Sequence, residues 1–179
     1  MKGLLFCEFI EFLEDQVGED EAQEIIDSAE LASEGAYSRV GFYDYQELIQ
    51  LLVTSATHTQ KDASTLLAGF AEHLFVVFKR DYSDFFVNVD SAVAMLKTID
   101  DHIHVEVKKL YPDAELPKFT YEESAGELHL HYQSPRPLAS VAHALINACL
   151  LFYQNKQTLK SYEISEDQKR ATFVVANVA

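Results

Sequence analysis

At Pro112 the hydrophobic pattern changes period, from the three-to-four spacing of helices to the strict alternation of strands. Before the proline, Leu5, Phe9, Ile10, Phe12 and Leu13 form a broad helical stripe, and Glu21 to Leu31 carries Ile25 and Ile26 among charges. A stretch containing glycine and tyrosine, Gly35 to Tyr45, interrupts the pattern. Tyr45 to Thr54, Ala63 to Lys79 and Ser91 to Tyr111 read as three further helices, with Asp62 and Asp90 placed as N-caps.

After the proline, Lys118 to Glu123 and Glu127 to Gln133 alternate around Ser124-Ala125-Gly126, which predicts a β-hairpin. Leu138 to Tyr153 returns to helix, with Leu138, Val141, Ala142, Leu145, Cys149 and Phe152 at helical spacing. Thr158 to Ile164 and Ala171 to Val178 predict a second hairpin across Ser165 to Arg170. Helices followed by β-β-α-β-β argue for an α+β fold, in which helices cover a four-stranded antiparallel sheet. A length of 179 residues suits one domain, with a helical subdomain over residues 1–60 and a helix-and-sheet subdomain over residues 61–179.

Charge and cysteine usage narrow the function. A net charge of −15 disfavours nucleic acid as a partner, because phosphate binding requires a basic face. Cys7 and Cys149 are too few and too far apart for a disulfide framework or a cysteine-based zinc site. The N-terminal stretch is apolar but short, carries Glu8 and Glu11, and lacks a cleavage region. These features predict a cytoplasmic protein with no membrane partner.

Two constellations offer chemistry. His102 and His104 project about 200° apart on a helix, so one metal cannot take both while the helix persists. They flank opposite sides of an apolar stripe through Ala92, Leu96, Ile99, Ile103, Val107 and Leu110, and periodicity does not choose between them. The ordinary reading of both is as border residues satisfied by water or backbone. The second constellation is Tyr132, Ser134 and Arg136 at a strand end, where Pro135 and Pro137 bar a helix. With extended backbone, a phenol, a hydroxyl and a guanidinium share one face, a set that suits a carboxylate and best a dicarboxylate. The ordinary reading is a strand end with an exposed arginine.

Other residues offer less. His129 and His131 share the strand face opposite Leu128 and Leu130, and His58, His73 and His143 are isolated in the sequence. Glu14-Asp15 and Glu19-Asp20-Glu21 read as a solvated helix entrance. Cys149 lies on an apolar stripe, and no phosphate loop or nucleophile elbow is present, so no enzyme is predicted.

Taken together, the two constellations resemble the haem nitric oxide/oxygen-binding (H-NOX) domain, the regulatory domain of soluble guanylate cyclase and its bacterial relatives. The resemblance runs from Met1-Lys2-Gly3 through His104 and Leu110-Tyr111-Pro112, then Leu116-Pro117-Lys118-Phe119, to Tyr132-x-Ser134-x-Arg136. It implies haem b enclosed by the helices and the sheet. It also implies His104 rather than His102 as the iron ligand, from its distance to Leu-Tyr-Pro, and the Tyr-x-Ser-x-Arg residues as the grip on the propionates. Pro117 matches a proline that presses on the haem. Val141 stands where oxygen-binding relatives place tyrosine, and Leu5, Phe9, Leu74, Phe78 and Leu145 match further haem-contacting positions.

An apolar pocket without a hydroxyl donor favours nitric oxide, with carbon monoxide as a further ligand. The resemblance also implies signalling in trans, to a histidine kinase or a diguanylate cyclase. Gas binding would weaken or break the His104 bond, letting the haem relax against Pro117 and shift the N-terminal helices. Some relatives carry a C-terminal cysteine and histidine zinc cluster; Ser161 to Ala179 contains neither residue type, so no zinc is expected. The alternatives are a haem-free ligand-binding or protein-interaction module of the same fold and a peroxidase-like enzyme, which would need a distal acid–base residue.

Overall fold

The computed structural model describes residues 1–154 and 157–177; Val178, expected in the last strand, lies outside them. The chain divides into two compact units, Met1–Leu74 and Phe75–Ala179.

The first unit holds α1 (Gly3–Val17), α2 (Glu19–Ser28), α3 (Tyr45–Thr59) and the first turns of α4 (Ala63–Asp81). Gly18, at φ +90°, ends α1, and Glu19, Asp20 and Glu21 fill the first turn of α2, where the helix dipole favours negative charge. Asp44 caps α3 by accepting a hydrogen bond from the Gln46 backbone. This helix continues past the expected Thr54. Ser55 and Thr59 turn their hydroxyls back onto the carbonyls of Leu51 and Ser55, so these polar residues sit inside the helix without competing for its backbone bonds.

Phe6, Phe9, Leu13, Ile25, Leu51 and Leu74 are among the unit's buried apolar residues. Each fully buried side chain of this size contributes about 1.5–3 kcal/mol. The Gly35–Tyr45 stretch wraps the start of α1: the Gly3 backbone donates to Gly41, and Lys2 bridges to Phe42. Gly3 is required there, since a Cβ would stand 2.0 Å from the Ser38 carbonyl oxygen. The Tyr37 ring stacks on Phe6 at 4.6 Å, and its hydroxyl donates to Glu47 at 2.9 Å.

The second unit contains the rest of α4, a 3₁₀ turn (Ser83–Phe86), α5 (Ala92–Lys97), a π-helical turn (Ile99–Ile103) and α6 (His104–Leu110). Then follow β1 (Lys118–Ser124), β2 (Glu127–Gln133), α7 (Ala139–Tyr153), β3 (Gln157–Ile164) and β4 (Arg170–Asn177). The sheet is antiparallel in the order β1-β2-β4-β3. Ala125 and Gly126 both have positive φ, the geometry of the tight primed turn that matches strand twist. Leu128, Leu130 and Tyr132 of β2 and Ala171, Phe173 and Val175 of β4 form the buried face, while β1 and β3 are edges. α7 is buried on most of its circumference, through Ala139, Ala142, Ala144, Ile146, Ala148, Cys149 and Leu150.

Two expectations change. Asp90 is not the cap of α5; the Ser91 hydroxyl accepts from the Ala94 backbone instead. The single helix expected over Ser91–Tyr111 is three pieces, because Ile103 and His104 donate five residues back, to Thr98 and Ile99. One extra residue is thereby inserted immediately before His104.

Candidate functional site

The residues of the first constellation separate in space. His102 is exposed and lies edge-on to the Phe85 ring at 5.7 Å. The His104 side chain is 17% exposed, and its Nδ1 meets the Asp100 carboxylate at 3.1 Å. The same carboxylate oxygen accepts the Phe119 backbone N–H at 3.1 Å. With Nδ1 engaged as the donor, the proton is fixed there and Nε2 carries the free lone pair, as a metal-ligating imidazole requires. Burial pushes the His104 pKa below its ordinary 6.5, against the opposing pull of Asp100, and favours the neutral form.

The second constellation is one aromatic ring away. Phe119 of β1 pairs with Tyr132 of β2, and its ring lies 5.4 Å from Tyr132 and 5.9 Å from His104. Tyr132 is buried, and desolvation raises its pKa, moderated by the Ser134 hydroxyl and by the charge of Arg136. Beyond Gln133 the chain bends: Ser134 Oγ accepts the Arg136 backbone N–H at 3.1 Å. The bend replaces the extended backbone expected there, yet Ser134 and Arg136 both stay close enough to Tyr132 to act on its phenol. The Arg136 guanidinium already grips a carboxylate, that of Glu115, and also donates to the Glu115 carbonyl. Pro117, half-buried, stands between Glu115 and the start of β1.

The remaining candidates lie as follows. In the first unit, Phe9 and Leu74 are buried and Leu5 is half-buried; in the second, Phe78, Val141 and Leu145 are half-buried. His143 points toward the sheet, its ring 4.2 Å from Tyr162 and 6.1 Å from Phe173. It therefore leaves the face of α7 that carries Val141 and Leu145, two residues to either side.

The sequence reading missed one cluster. Glu8 of α1 is fully buried; its Oε2 receives His73 Nε2 at 2.9 Å, and the Arg39 guanidinium lies 2.6 Å from its Oε1. Arg39 also donates to Glu11. His73, isolated in sequence, is thus paired across 65 positions. The only available signal was a glutamate inside the apolar stripe of α1.

A neutral imidazole with one nitrogen held and the other free, beside an arginine–serine–tyrosine carboxylate grip, is a donor set that fits a metalloporphyrin bearing carboxylates. The Haem-NO-binding family profile matches residues 2–161. Among solved structures, the Fe(II) unliganded H-NOX protein from K. algicida is 36% identical over 99% of this chain and 96% of that one, with a TM-score of 0.88. The IWP-051-bound H-NOX from Shewanella woodyi in the Fe(II)CO state is 34% identical over 99% and 94% of the two chains, with a TM-score of 0.81. An H-NOX protein from S. oneidensis in the Fe(II)NO state is 22% identical over 99% of each chain and shares the fold at a TM-score of 0.86. No curated protein matches the chain.

Proposed function

The chain belongs to the Haem-NO-binding family, and from that premise we propose that it is a sensor of nitric oxide that uses ferrous haem b. His104 serves as the iron ligand through Nε2. Asp100 holds the opposite ring nitrogen and ties the ligand's position to β1 through the Phe119 N–H. Arg136, Ser134 and Tyr132 bind the cofactor's carboxylates, with Arg136 exchanging or sharing Glu115. Pro117, Leu5, Phe9, Leu74, Phe78, Val141 and Leu145 provide apolar contacts. When bound, the haem supplies an open iron coordination position for a diatomic gas.

The single observation that carries this reading is the Asp100–His104–Phe119–Tyr132 array, which links a ligand-ready imidazole to the carboxylate grip. The gas assignment rests on Val141, which offers no hydrogen-bond donor to a bound oxygen, so nitric oxide and carbon monoxide are favoured over oxygen. A π-turn directly before His104 is a local irregularity at which a change in the hold on His104 would be taken up by α6. Signalling then needs a partner that distinguishes the two states. We assign that role to a histidine kinase or a diguanylate cyclase in the cytoplasm, with no zinc involved. Among the described residues, no helix is long and apolar enough to cross a membrane. Haem reconstitution followed by anaerobic addition of nitric oxide tests the proposal: a stoichiometric haem band that shifts with the gas supports it, and failure to take up haem refutes it.

A further inference from the structure

The buried Glu8 cluster has no part in the haem grip, yet it lies at a telling place on the packing of α1 against α4. Three residues of α1 meet three of α4 with matching spacing. Phe9 packs edge-on to Phe70 at 5.0 Å, and Phe12 packs on Phe70 at 5.9 Å and on His73 at 6.0 Å. Gly69 lets the Phe12 ring approach so closely that a Cβ would stand 3.1 Å from it. Glu8 completes the set through its 2.9 Å bond to His73. Aromatic contacts alone tolerate sliding, because dispersion is non-directional. A carboxylate with no exposure does not tolerate it: a slip by one helical turn would strip Glu8 of His73 and leave charge in an apolar layer. Arg39, arriving from the loop before α3, meets the other oxygen of the Glu8 carboxylate at 2.6 Å.

Glu8 directly precedes Phe9, and His73 directly precedes Leu74; both Phe9 and Leu74 are buried in the same unit. We infer that Glu8 and His73 are positioning residues for the gas site, fixing the register of α1 on α4 and with it the placement of Phe9 and Leu74. The inference rests on the haem-sensor reading above, which gives Phe9 and Leu74 their place at the cofactor.

The test uses the ferrous carbon monoxide complex of the full chain. The readouts are the C–O stretching band and the carbon monoxide dissociation rate of the parent, Glu8→Gln, His73→Gln and the double variant. Leu51→Ala, a buried α3 residue, is the control for general destabilisation. The expected result is a displaced band and a rate changed by about threefold or more in each single variant, with the double variant no worse than the larger single one. Leu51→Ala should lower Tm and leave band and rate as in the parent. A Glu8→Gln protein with lowered Tm but parental band and rate would overturn the inference, reducing the pair to a stability element. If Glu8→Gln does not fold, His73→Gln carries the same comparison. A parent that takes up no haem would bring down the sensor reading itself, an outcome separate from the other because it appears before any variant is made.

Discussion

The two units bury polar groups in opposite ways. In the second unit Asp100 and His104 are one helical turn apart and Tyr132, Ser134 and Arg136 fall at a single strand end, with Phe119 and Glu115 joining them from 19 and 21 positions away. In the first unit Glu8 joins Arg39 and His73 from three separate segments. In the second unit the His104 ring and the Arg136 guanidinium each meet a carboxylate that is itself partly exposed, Asp100 at 34% and Glu115 at 65%. The long-range arrangement of the first unit surrounds a carboxylate that has no exposure and joins α1 to α4 and to the loop before α3. The carboxylate with no exposure is thus the one whose cluster spans three separate segments.

Substitutions can break or sharpen that contrast. The largest effect is expected from Glu8→Ala, which leaves Arg39 and His73 facing an empty buried position. Because Arg39 is 42% exposed and keeps Glu11, the loss should fall at the low end of the range for broken buried pairs, about 3 kcal/mol, a fall of roughly 10 °C in Tm for a chain of this size by thermal denaturation. Asp100→Ala should come next and act differently, lowering haem affinity by about 10- to 100-fold in a haem-transfer assay because His104 loses its orienting acceptor. Ser91→Ala should reduce stability by about 1 kcal/mol through loss of the α5 cap, with Asp90→Ala having less effect in the same denaturant titration. The smallest effect is expected from Glu115→Ala: its side chain is 65% exposed, so its ion pair with Arg136 should be worth less than about 1 kcal/mol by urea unfolding. A Glu115→Ala loss as large as that of Glu8→Ala would erase the distinction between the units.

Much of the architecture was legible in the sequence because hydrophobic period survives folding. The two hairpins, the helix between them and the helices up to Asp81 appear where they were expected, with α3 running on to Thr59, whereas the helix expected over Ser91–Tyr111 is three pieces. What was hidden depends on backbone detail or distant contact. The π-turn before His104 leaves no mark on an apolar stripe that reads as continuous helix, although it sets where His104 and Asp100 meet. The bend at Ser134 arises from a side-chain-to-backbone bond that an extended-strand reading cannot supply. Phe119, the ring between the two constellations, owes its place to strand pairing with Tyr132. The Glu8 cluster was hidden for the same reason: His73 gains a partner only once α1 and α4 pack. The family resemblance, in contrast, came from short motifs whose spacing is independent of all these contacts.

The central claim is that His104 is the haem ligand, and the most direct measurement is the anaerobic absorption spectrum of the ferrous protein beside His104→Ala, each with and without imidazole and then nitric oxide. The account predicts a stoichiometric haem band in the parent that shifts with nitric oxide, loss of that band in His104→Ala, and its return when imidazole fills the place of the missing ring. A His104→Ala protein that binds haem as the parent does, with the same nitric oxide response and no effect of imidazole, would contradict it.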